Sequence, residues 1–131
     1  MDLLTGLQIL VVDDQVDTLE VLKFVLERYG AEVQTVGSAR AALTTLSENS
    51  SSYDVLICDI GMPQEDGYWL IQQVRSLSPE NGGQIPAIAL TAYTREEERQ
   101  RAIDAGFQRH VAKPIEPVQL TEFIADLVRR I

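Results

Sequence analysis

Apolar residues along this chain fall into two spacings that take turns. Short runs near residues 8–12, 55–59 and 85–91 are apolar almost without a break, which suits strands buried on both faces. Between them, Leu, Ile and Val recur every three or four positions, which suits helices with one inward face. The spacing predicts a first helix over 14–29, with Leu19, Leu22, Leu26 and Tyr29 inward and Gly30 as its stop. Ser38 is placed to cap a second helix carrying Ala39, Ala42, Leu43 and Leu46 on one face. A third, over 67–77, carries Leu70, Ile71, Val74 and Leu77. Thr94 and Glu97 are spaced as a capping box for a fourth, charged helix, where Glu97 can also pair with Arg101. Pro117 opens the last, with Leu120, Ile124, Leu127 and Ile131 inward. Mixed segments at 32–36 and 109–112 read as strands at the rims of a sheet.

Strand and helix thus alternate five times. Units of this length imply an α/β fold with a parallel sheet covered on both faces. Placing the apolar strands centrally and the mixed ones at the rims gives the order 2-1-3-4-5, a doubly wound, flavodoxin-like (βα)5 sheet. All 131 residues are expected to form one domain.

The strand ends hold the chemistry. Asp13 and Asp14 follow the first strand, Asp59 closes the third, Thr91 the fourth, and Lys113 follows the fifth. In such sheets, ligands bind at the C-terminal edge. Asp13 and Asp14 alone could be a helix-capping pair. Three carboxylates gathered at one edge, however, need a cation to remain ionised together. Lys113 brings one positive charge and a divalent metal would bring two. Carboxylate oxygens favour Mg2+, and the lack of a Cys/His set speaks against zinc. An aspartate can also form an acyl phosphate. The whole is a phosphoryl-transfer set, with Thr91 able to hydrogen-bond the product phosphoryl group.

Composition narrows the partners. The net charge of -9 argues against nucleic-acid binding through this chain. Cys58 is the only cysteine, so no internal disulfide can form and a reducing, cytoplasmic setting fits. No stretch approaches the roughly 20 apolar residues needed to span a bilayer, so no membrane insertion is expected. The first residues lack the basic start of a signal peptide.

Five motifs, Val11-Val-Asp-Asp14, Asp59-Ile-Gly-Met-Pro63 with Asp66-Gly67, Leu90-Thr-Ala92, Ala105-Gly-Phe107 and Lys113-Pro114, stand in order along the chain. Together they resemble the receiver domain of two-component response regulators over nearly the whole length. The resemblance implies that Asp59 accepts a phosphoryl group from a phosphohistidine on a histidine kinase or histidine phosphotransfer protein. It implies that Asp14, Asp59 and the carbonyl of Gly61 ligate Mg2+, with Asp13 binding through a metal water. Thr91, beside Ala92, becomes the switch hydroxyl and Lys113 the phosphoryl-binding cation, and the bond before Pro114 is expected to be cis. His110 stands where the family usually has a switch aromatic. A lone histidine on an edge strand is otherwise most simply structural. The wording of the motifs is closer to receivers of hybrid sensor kinases than to dimerising transcription factors.

The first helix docks on the kinase in this family. Val21 lies off the buried stripe and, with Thr18, is the expected docking surface. Two other functions use related parts. A haloacid-dehalogenase-like phosphatase also forms an aspartyl phosphate, but resembles Asp-x-Asp rather than Asp13-Asp14-Gln15 and needs a cap insertion. A flavodoxin-like cofactor binder needs a phosphate-cradling first loop, which Asp13, Asp14 and Asp17 would repel.

Overall fold

The computed structural model describes residues 3–48, 52–92 and 95–129. Its strands are β1 (Gln8–Val12), β2 (Glu32–Val36), β3 (Val55–Asp59), β4 (Ala87–Thr91) and β5 (Arg109–Ala112). Its α-helices are α1 (Val16–Arg28), α2 (Ala39–Glu48), α3 (Gly67–Arg75), α4 (Glu96–Ala105) and α5 (Pro117–Arg129). The strands form one parallel sheet in the order β2-β1-β3-β4-β5. This is the winding expected from the sequence.

The period of two along each strand sorts the core into two layers. Ile9, Val11, Ile57, Ile88, Leu90 and Val111 face the layer of α1 and α5, filled by Leu19, Leu22, Leu26, Leu120 and Ile124. Leu10, Val12, Leu56, Cys58, Ala87 and Ala89 face the other layer, with Ala42 and Leu46 of α2, Leu70, Ile71 and Val74 of α3, and Ala102 of α4. β3 and β4 are buried at every position, whereas β2 alternates and β5 is half-exposed. The apolar runs are therefore the inner strands, because both of their faces are covered.

Several boundaries differ from expectation. α1 begins at Val16, since Asp13 and Asp14 are drawn into the strand-end site. α3 stops at Arg75, where the Arg75 guanidinium turns onto backbone carbonyls, and Leu77 falls in the following turn. β4 starts at Ala87, after Pro86. α4 begins at Glu96 with Arg95 at its N-cap, a position where Arg95 makes no side-chain bond. Thr94, the expected cap, lies outside the described residues, as does Ile131. Arg101 lies over the Tyr68 ring at 4.0 Å, a cation–π contact that ties α4 to α3, rather than reaching Glu97.

Candidate functional site

In-register pairing brings the strand ends to one edge. Val12 lies beside Cys58, Asp59 beside Leu90, and Thr91 beside Ala112. The residues that follow each strand therefore crowd one rim. Asp13 is fully buried, Asp59 and Thr91 are nearly so, and Asp14 is half-buried. Asp13, Asp14 and Asp59 each place a carboxylate oxygen within 4.8 Å of the others.

Lys113 reaches into this cluster. Its Nζ lies 3.2 Å from Asp59 Oδ1 and 3.3 Å from Asp13 Oδ2. Burial works against the Lys113 charge, but the Asp59 and Asp13 carboxylates outweigh it and raise its pKa. Asp13 is also pushed up, chiefly by burial and then by Asp59, although the Gln15 N–H and Lys113 pull it back. The Gln15 N–H donates to Asp13 Oδ1 at 2.8 Å, and the Gly61 N–H donates to Asp59 Oδ1 at 3.2 Å. The Lys113–Pro114 peptide bond is cis.

The loop after β3 is set by close backbone contacts. Gly67 N–H donates to Ile60 O at 3.0 Å. A Cβ on Gly67 would meet Ile60 Cα at 2.8 Å and Asp59 O at 2.9 Å, so only glycine lets α3 start this close to the strand end. Asp66 caps α3 by accepting the Trp69 N–H at 2.9 Å. Gln64 takes a φ of 64°, the left-handed region, which costs a non-glycine residue about 1 kcal/mol. The loop over Asp59 is thus held under slight strain.

Three ionised carboxylates and one ammonium leave a formal deficit of two positive charges. Hard oxygens at this spacing fit one divalent cation such as Mg2+, and the charge balance closes when it binds. Around the cluster lies a hollow of about 270 Å³ lined by Asp14, Gln15, Asp59, Gly61, Thr91, Ala92 and Lys113. The edge can therefore accept a small anion next to a nucleophilic carboxylate, with cations to receive its oxygens.

The expected residues are mostly assembled here. His110 is not at the rim. Val111 points into the α1/α5 layer, so His110 lies on the opposite face, the same face as Thr91 on the neighbouring strand. Its Nε2 is buried and has no hydrogen-bond partner among the described residues. Thr18 and Val21 lie outside the rim, on a second hollow of about 290 Å³ that Lys113 and Pro114 also line. Gln15 is the lining residue that the sequence did not single out. Its only advance signal was its place, directly after Asp13-Asp14; its position at the N-cap of α1, uncommon for glutamine, is shown by the structure alone.

Comparisons with known proteins bear on the family and the fold. Residues 9–125 match the family model of the response regulator receiver domain. An uncharacterized 14.6 kDa protein of Leptolyngbya boryana is 43% identical over 124 residues, covering 95% of this chain and 92% of that protein. A two-component response regulator of Arabidopsis thaliana is 35% identical over 96% of this chain, and the RcsC sensor histidine kinase of Salmonella typhi is 32% identical over 95%. This chain spans only 32% and 13% of those two proteins. A receiver domain protein of Clostridium thermocellum superposes with a TM-score of 0.85 at 30% identity, covering 95% of both chains. The receiver domain of a Pseudomonas aeruginosa sensor histidine kinase, solved with magnesium in its active site cleft, gives 0.84 at 28% identity, covering 95% of this chain and 99% of that one.

Proposed function

This chain belongs to the response regulator receiver family of two-component systems, and we propose that Asp59 is its phosphoacceptor. The observation that carries this reading is the setting of Asp59. It is the one carboxylate that lines the hollow while contacting both the Lys113 ammonium and the Gly61 N–H. The donor is a phosphohistidine on a histidine kinase or a histidine phosphotransfer protein. An Asp59 oxygen attacks phosphorus, the P–N bond breaks, and the electron pair leaves with the imidazole, which takes a proton from solvent. Asp14, Asp59 and the Gly61 carbonyl would hold Mg2+, with Asp13 contributing through a water. The ion would supply positive charge against the phosphoryl oxygens. Lys113 binds one of those oxygens, and Thr91, with Ala92 beside it, receives another.

His110 reads the result. It shares a sheet face with Thr91 on the next strand, and its buried Nε2 has no partner among the described residues, which costs about 1–3 kcal/mol. A shift of Thr91 toward the phosphoryl group opens room for that nitrogen to find one. Thr18 and Val21 form the docking surface. Val21 is 54% exposed, and Lys113 lines both their hollow and the one over Asp59. A partner helix seated there lies beside the phosphoacceptor. We read residues 1–131 as one receiver unit, of the kind attached to hybrid sensor kinases, working in the cytoplasm. The buried, unpaired Cys58 supports that compartment.

The test is labelling by acetyl phosphate. Wild-type protein gains a hydroxylamine-sensitive phosphoryl group only with Mg2+, and Asp59→Asn gains none. Equal labelling of Asp59→Asn moves the acceptor elsewhere. Val21→Glu is expected to slow transfer from a histidine kinase that phosphorylates the wild type by tenfold or more. An unchanged transfer rate removes Val21 from the docking surface.

A further inference from the structure

Gln15 occupies the N-cap of α1, with extended backbone angles, φ -93° and ψ 112°. Ser, Thr, Asp and Asn serve there because a short side-chain oxygen can accept a backbone N–H of the first turn. Glutamine is one methylene too long for that bond, and the Gln15 side chain makes no cap bond. Its backbone is occupied: the N–H holds Asp13 Oδ1 and the carbonyl accepts the Leu19 N–H. The helix therefore makes no use of the side-chain amide, and Gln15 is an exposed residue that lines the hollow over Asp59.

The other described residues lining that hollow already have roles or have nothing to contribute. Asp14 and Asp59 suit a metal, and Thr91 and Lys113 suit phosphoryl oxygens. Ala92 and Gly61 carry no functional side chain. At Gly61 the space is open, since a Cβ built there would find only Asp59 Oδ1, at 4.0 Å. Nothing from that residue screens the approach to Asp59. The Gln15 amide is the one uncommitted polar side chain among the described residues of the rim.

An aspartyl phosphate is lost when water attacks phosphorus from the side opposite the Asp59 oxygen. The new P–O bond forms as the P–O bond to Asp59 breaks. The carboxylate leaves with the electron pair, and the proton of the water passes to the phosphate and solvent. The transition state is loose, so the protein's contribution is mainly to place the water and steady the oxygens. An amide does both, accepting a hydrogen bond from the water through Oε1 and donating one to a phosphoryl oxygen through Nε2. We propose that Gln15 is the positioning residue that orients the hydrolytic water and so sets the lifetime of the phosphoryl group on Asp59.

This rests on Asp59 being the phosphoacceptor, and the experiment separates the two. Wild-type protein, Gln15→Leu and Gln15→Asn are labelled with acetyl phosphate and Mg2+, stripped of donor, and followed by phosphate-affinity electrophoresis. Leucine keeps much of the bulk but removes the amide, while asparagine keeps the amide one methylene short. The decay constant of Gln15→Leu is expected to fall five- to tenfold, with Gln15→Asn in between. A distorted site would slow labelling and decay alike, so the ratio of decay constant to labelling rate is the deciding quantity, and it is expected to fall at least threefold in Gln15→Leu. An unchanged ratio, or faster decay in Gln15→Leu, overturns the role of Gln15 while leaving Asp59 in place. Failure of the wild type to label at Asp59 overturns both.

Discussion

The two ends of the sheet solve opposite electrostatic problems. At the edge where β4 and β5 begin, Arg75 of α3 sits among backbone carbonyls. Its guanidinium donates to Gly106 O at 2.7 and 3.0 Å, to Gly83 O at 3.0 Å and to Ile85 O at 2.6 Å. It also reaches Gln108 Oε1 at 3.1 Å, which in turn accepts the Ala87 N–H at 2.7 Å. Burial lowers the pKa of Arg75, yet its donors are matched by fixed acceptors. At the opposite edge, Asp13, Asp14 and Asp59 cluster beside one ammonium, which contacts Asp13 and Asp59. The first end is satisfied and ties the α3–β4 loop to the α4–β5 loop. The second is short of positive charge, and only such an end has free energy to gain from a ligand. Stability and responsiveness are therefore separated along the strands.

Removing the clamp is the largest way to test that separation. Arg75→Ala leaves several buried carbonyls without donors, and hydrogen bonds to a charged group are worth about 1.5–3 kcal/mol each before compensation. The variant is expected to lose about 3 kcal/mol in urea unfolding, while the folded fraction keeps its affinity for Mg2+ within about twofold. A loss below about 1 kcal/mol would show that the clamp carries little of the fold. A much weaker Mg2+ affinity would show that the two ends are coupled.

The next effect belongs to the charged end. A ligand that binds only the folded protein stabilises it by about 2.7 kcal/mol at a hundred times its Kd. Mg2+ at that ratio is expected to raise the urea midpoint of the wild type accordingly. Asp14→Asn removes the half-buried carboxylate of the cluster and is expected to abolish most of the gain. A cation effect that survives Asp14→Asn would point to non-specific screening of the -9 net charge.

The same contrast separates what the sequence made legible from what it did not. Strand order and the rim carboxylates could be read because each depends on a periodic or local signal. Apolar runs marked inner strands, and a carboxylate ending such a run marked the rim. The Arg75 clamp could not be read, since its carbonyl acceptors come from residues 8 to 31 positions away and are backbone groups that any residue supplies. The end of α3 and the start of β4 were missed for the same reason, because both are fixed by this hydrogen-bond network and by Pro86. Arg101 was assigned an i,i+4 partner on its own helix, but the face of Tyr68 on α3 lay closer to hand. Gln15 escaped notice because its side chain belongs to no pattern; only the hollow it borders gives it a meaning. His110 was visible as a departure, but that its Nε2 is buried, with no partner among the described residues, required the packing of neighbouring strands.

The smallest effect is the sharpest probe of the charge deficit. Burial, reinforced by Asp59, raises the Asp13 pKa despite the Gln15 N–H and Lys113. The folded protein therefore holds the Asp13 proton more tightly than the unfolded chain does. Its contribution to stability is full below the ordinary aspartate pKa of about 3.9 and is lost as pH rises through the raised folded value. Lys113, also raised, contributes throughout this range, since its stabilisation is lost only above the ordinary lysine pKa of about 10.4. Asp13→Asn can keep the acceptor for the Gln15 N–H while removing the charge. In EDTA the variant is expected to overtake the wild type as pH rises from below about 3.9 toward neutrality. The gain is on the order of 1 kcal/mol, being the repulsion relieved less the attraction to Lys113 given up with the charge. Adding Mg2+ at pH 7 should reverse the order, because the wild type then recovers its missing charge and the variant cannot do so fully. Urea curves from pH 3.5 to 8, with EDTA or with Mg2+, measure both effects. Parallel wild-type and variant curves in EDTA would mean that the buried carboxylates are already balanced, and the contrast between the two ends of the sheet would fall.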